Sequence, residues 1–245
     1  MIRALPAAAL LAIVACFDKP LKPASLVIAC DPTGARPDAS CNADMVKAQF
    51  TSWAADAVWR PGSSFALVMS GGDYGATRVA VRLVVPAVWH KKHKKIAHKD
   101  WITEGADAFD AVEIVADLAG DRTPRSDLVS LFVVSAHVAG EFPQEGTVSL
   151  LVATDGWYEP ATRIGKGDQL DAEPVLARLR DDGLAWSLRG VDSIVVCGYS
   201  PDRATTKADA QRHRFLHDLL IAGGAKPVTP RSSCVGVTTV AQVGG

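Results

Sequence analysis

Four short, nearly uninterrupted apolar runs restrict this chain to a narrow set of folds: residues 25–30, 65–69, 148–153 and 193–197. A strand with one wet face alternates apolar and polar residues. These runs do not alternate, so each is buried on both faces, as in a parallel sheet covered by helices. At five or six residues each, they have the length of strands rather than of buried helices.

The segments between them carry helical spacing. Residues 43–59 place Met45, Phe50, Trp53, Ala57 and Val58 close to one face, with Asn42 as a candidate cap. Further helices are expected over 106–118, 126–139, 173–182 and 204–222, the last closed by Gly223-Gly224. A strand is also expected over 79–85, and a short one near 226–229. Only Gly71-Gly72-Asp73-Tyr74-Gly75 and its flanks join the 65–69 and 79–85 runs. So short a link requires an antiparallel hairpin, because a parallel crossover needs a dozen residues or more. The order predicts an α/β domain: one doubly wound, mostly parallel sheet, one antiparallel edge hairpin, and helices on both faces. Apolar residues make up 48% of the chain, enough for a sizeable core. The net charge of −1 gives no ground for a nucleic-acid partner.

Two of the runs end in an acidic residue, within Asp31-Pro32-Thr33-Gly34-Ala35 and Thr154-Asp155-Gly156. With this element order, the chain resembles the von Willebrand factor type A (integrin inserted-domain-like) family over residues 25–229. In that family the first strand ends in Asp-x-Ser-x-Ser and the fourth commonly in Thr-Asp-Gly. The resemblance implies a metal-ion-dependent adhesion site for Mg²⁺ or Mn²⁺, hard cations that take oxygen ligands. Carried over, Asp31 and Asp155 supply carboxylates and Thr33 a hydroxyl. Thr123 or Ser126 supplies a second hydroxyl. Ala35 stands where the motif has its second Ser, so one ligand is missing and affinity should fall. Without a metal, Asp31 and Asp155 would cap helices and order loops.

The first sixteen residues pair a basic start at Arg3 with an apolar run ending Ile13-Val14-Ala15-Cys16. Twelve helical residues span about 18 Å, short of the roughly 30 Å hydrocarbon core, so the segment reads as a secretory signal. Its last four residues resemble the lipobox of bacterial lipoproteins, which implies cleavage and acylation at Cys16, with palmitate among the chains. The expected organisation is a signal peptide over 1–15, a Pro-containing tether over 16–24 and a von Willebrand A-like domain over 25–245. Several acyl chains hold such a protein stably on a membrane. The resemblance implies the periplasmic side of a bacterial envelope, with the outer membrane favoured over the inner.

Cys30, Cys41, Cys197 and Cys234 remain after the signal. Outside the cytoplasm an even count permits two disulfides in three possible pairings; buried free thiols are the alternative. The densest charge run holds Lys91, Lys92, Lys94, Lys95 and Lys99 with three histidines between Trp89 and Trp101. It is expected as a solvated loop before the next helix, able to lean on an anionic membrane or an acidic partner. Trp157 and Tyr158 follow Asp155 and put aromatics where a partner would dock. No nucleophile elbow surrounds Ser70 or Ser200, and the histidines of His213-Arg214-Phe215-Leu216-His217 lack a metalloprotease glutamate. The expected function is non-enzymatic. It is protein binding or scaffolding in a cell-envelope assembly, such as secretion or conjugation machinery, through the strand-end face. A metal-assisted hydrolase or a small-ligand binder on the same sheet is the alternative.

Overall fold

The computed structural model describes residues 21–32, 41–70, 76–89, 94–111, 114, 127–154, 172–183, 186–198, 207–226, 228–231 and 234. The strands are β1 (Ala24–Cys30), β2 (Ser64–Met69), β3 (Arg78–Val84), β4 (Thr147–Ala153), β5 (Ser193–Cys197) and β6 (Val228–Arg231). The helices are α1 (Ala43–Ala57), α2 (Lys94–Asp107), α3 (Leu128–Gly140), α4 (Ala172–Asp181) and α5 (Lys207–Ala222). A 3₁₀ turn, Ala108–Asp110, follows α2.

The strands form one sheet in the order β3-β2-β1-β4-β5-β6. All neighbours are parallel except β2 and β3, whose antiparallel pairing makes β3 an edge. The expected doubly wound α/β fold is therefore present. The chain runs from β1 outward to β2 and β3, then returns to pair β4 with the other side of β1. The carboxyl ends of β1 and β4 thus flank the point where the order reverses, where ligands of such sheets bind.

Alternate residues of each buried strand point to opposite faces. Leu26, Ile28, Phe65, Leu67 and Leu151 pack with α1 and α2. Val27, Ala29, Val68, Leu150, Val152 and Val196 pack with α3, α4 and α5. The first face is aromatic. Phe50 of α1 meets Phe65 edge-on at 5.1 Å, with Phe109 at 5.4 Å and Trp101 at 5.8 Å. Gly105 allows this approach, since a Cβ there would lie 2.5 Å from the Phe50 ring.

One expectation is corrected here. The Lys/His-rich run is not simply a loop, because α2 begins within it at Lys94. Of the helix expected over 106–118, residues 106–110 are the end of α2 and the 3₁₀ turn, Ile114 is helical, and 112–113 and 115–118 lie outside the described residues. The pattern misleads because the buried face of α2 includes His98, half-buried Trp101 and Gly105 rather than an aliphatic stripe.

Candidate functional site: the strand-end rim

The carboxyl ends of four adjacent strands are laced together one residue beyond the sheet. Asp31 N donates to Ala153 O at 2.9 Å, Ser70 N to Cys30 O at 2.8 Å, and Thr154 N to Cys197 O at 3.2 Å. These bonds carry the ladder past the strands and fix where each side chain at the rim must point.

Asp31 and Thr154 meet at the reversal point. Thr154 Oγ1 donates to Asp31 Oδ2 at 2.9 Å, and both residues are fully buried. A buried carboxylate is costly unless hydrogen bonds compensate its lost hydration. The threonine hydroxyl supplies one such bond between residues 123 apart in sequence. Beside them, Asp127 caps α3: its Oδ1 accepts from Ser130 N at 3.1 Å and its Oδ2 from Ser130 Oγ. Asp127 N donates in turn to Ser70 Oγ at 3.3 Å, tying the end of β2 to the start of α3.

Two disulfides close the rim. Cys30 at the end of β1 is bonded to Cys41, just before α1, with Cα atoms 5.5 Å apart. Cys197 at the end of β5 is bonded to Cys234, with Cα atoms 5.0 Å apart. Both spacings lie in the ordinary range for a disulfide. Cys234 O also accepts from Gln49 Nε2 of α1 at 3.4 Å. All four cysteines are thus paired, and the free-thiol alternative is set aside.

Of the residues expected at a metal site, Asp31 is described and is turned inward onto Thr154. Thr33, Thr123, Ser126 and Asp155 lie outside the described residues, as do Trp157, Tyr158 and Cys16. Among the described residues, no three His, Cys, Asp or Glu side chains gather into a metal-holding group. No protein-family model matches this chain, and no curated protein matches its sequence.

Thr154, Ser70, Asp127 and Ser130 belong to the rim but not to the expected ligand set. The available signal was Asp127-Leu128-Val129-Ser130, a capping residue just ahead of an apolar run. Ser70 carried no local signal, because its partner lies 57 residues away.

The basic run sits elsewhere. Lys91 and Lys92 lie outside the described residues, Lys94 is the first residue of α2, and Lys95 is exposed. No acidic residue occupies the first turn of α2. Lysines there face the positive end of the helix dipole, an arrangement disfavoured by about 0.3–1 kcal/mol per charge. His98, the third histidine of the run, is buried between Trp59 at 4.6 Å and Trp89 at 4.4 Å, both edge-on.

Proposed function

We propose that this chain is a lipid-anchored, extracytoplasmic binding module of a bacterial envelope assembly. In this proposal it is built as a von Willebrand A-like domain and meets a protein partner at the strand-end rim. The observation that carries it is the buried Asp31–Thr154 pair at the reversal point, set between two strand ends closed by disulfides. A platform held this firmly suits loops that carry a binding surface. Two disulfides support an oxidising compartment, in line with export directed by residues 1–15 and acylation at Cys16.

Asp31 orders the rim from within, and Trp157 and Tyr158 supply the aromatic contact. The test is a photo-crosslinking residue in cells at position 159, next to the two aromatics in sequence. A discrete crosslinked partner is expected, lost in Trp157→Ala/Tyr158→Ala with the melting temperature unchanged. A cytoplasmic chain with reduced cysteines, or identical crosslinking by the double variant, would refute the assignment.

The reversal-point position of Asp31 favours one second reading, a Mg²⁺ or Mn²⁺ site shared with Asp155 and nearby hydroxyls. Calorimetry on the full chain separates the two. Binding heat abolished by Asp155→Asn supports the metal, and no heat at millimolar metal removes it.

A further inference from the structure

The opposite end of the sheet carries a surface that the rim does not explain. The amino ends of β1, β2 and β4 and the carboxyl end of β3 meet there, as the pairs Ala24↔Thr147 and Ser64↔Val84 define. The entering chain is tied down at this pole. Thr147 N donates to Pro23 O at 2.9 Å, Ala24 N to Ser63 Oγ at 2.9 Å, and Trp53 Nε1 to Ala24 O at 2.8 Å. Gly146 permits the contact, since a Cβ there would lie 2.4 Å from Pro23 O.

Large apolar side chains are exposed at this pole. Seven are exposed among the described residues; of these, Trp59, Val88 and Ile96 lie on the α1/α2 flank, Leu21 belongs to the entering chain, and Val84 shares the opposite face of β3 with Arg82. Trp59 and Trp89 bracket His98 in the second turn of α2, which places Trp59, Val88 and Ile96 around the start of that helix. Exposed Lys22, Lys95 and Lys99 ring the patch; Asp100 is the exposed acid beside them, and Asp56 is paired with Arg60 at 2.7 Å. An apolar centre with tryptophan and a basic rim matches the interface of an anionic bilayer.

We infer that this pole docks on an anionic lipid surface, with Trp59, Val88 and Ile96 in the interfacial layer and Lys22, Lys95 and Lys99 on the headgroups. The orientation rests on the anchoring proposed above. Five residue steps from Cys16 to Leu21 reach at most about 17 Å, which holds this pole, and not the rim, against the membrane. The strand-end rim then faces away from the bilayer, open to a partner. The basic start of α2, unfavourable in isolation, is relieved by lipid phosphates.

The test uses the full chain with vesicles of phosphatidylcholine, alone or mixed with phosphatidylglycerol, carrying brominated acyl chains. Tryptophan quenching is expected to be stronger with phosphatidylglycerol. That excess should vanish in Trp59→Phe, and Lys95→Glu/Lys99→Glu should need on the order of tenfold more anionic lipid for it. The two lysines are exposed, so these changes leave folding intact. Equal quenching of wild type and Trp59→Phe in vesicle-bound protein would overturn the docking. So would a concentration-dependent dimer broken by Ile96→Glu, which would assign the patch to a second copy. Mass spectrometry at Cys16 judges the anchor separately. If the cysteine is unmodified, salt-sensitive flotation with phosphatidylglycerol vesicles still supports docking, and its absence rejects it.

Discussion

At the carboxyl ends of the strands the sheet is finished by covalent bonds and buried polar contacts. At the amino ends it is finished by hydrogen bonds to the backbone of the entering chain, beneath exposed apolar side chains. The rim joins residues far apart in sequence through Cys197–Cys234, Cys30–Cys41 and Asp31–Thr154. The pole instead gathers the entering chain through Ser63, Trp53 and Gly146. At one end Asp31 and Thr154 are fully buried; at the other, large apolar side chains are exposed. The difference teaches that a wound sheet can finish its two ends by different physical means without a second domain.

The sharpest way to break this contrast is to open the rim. Replacing Cys197 and Cys234 by Ala should lower stability by about 4 kcal/mol, and the same change at Cys30 and Cys41 by about 3 kcal/mol, on the loop-entropy model. Denaturant titration of the oxidised chain against each variant checks both the values and their order. Next comes Thr154→Val, which keeps the shape and removes a donor from the buried Asp31. A loss of about 1.5–3 kcal/mol is expected, and a change below about 0.5 kcal/mol would show that the pair is not a support of the rim.

At the pole the expected effects are smaller. Ser63→Ala removes the acceptor for Ala24 N and the donor to Arg60 O, and should cost about 1 kcal/mol by thermal unfolding. The smallest effect is electrostatic. Arg82 of β3 pairs with Glu141, just after α3, and this hydrogen bond and charge hold the Glu141 carboxyl below its ordinary 4.5. A depressed folded pKa contributes stability above the unfolded value and loses it as pH falls through the folded one. Glu141→Gln should therefore slightly lower the melting temperature at neutral pH and leave it unchanged at the acid end. Both partners are exposed, so the shift should fade in high salt.

Legibility in the sequence followed the physics of each element. β1, β2, β4 and β5 were readable because burial on both faces leaves an apolar run with no competing pattern. The β2–β3 hairpin was readable because a short link permits nothing else. Helix α2 was not, because lysines fill its first turn and a histidine and a glycine stand at buried positions. The disulfide pairing was also closed to inspection. It depends on β1 and β5 being separated by β4, and strand order is a long-range property. Asp31 was recognisable by its place at a strand end, but its partner was not. Thr154 bonds it only because β1 and β4 pair in register.

The Cys197–Cys234 bond has a mechanical consequence. Tension on the chain beyond residue 234 bypasses α5 and β6 and arrives at the carboxyl end of β5. Tension on the N-terminal side arrives at the amino end of β1. Parallel β1, β4 and β5 pulled from opposite ends are loaded in shear, so their ladder bonds share the force instead of unzipping singly. A molecule held at one end and pulled at the other would yield last across its own centre.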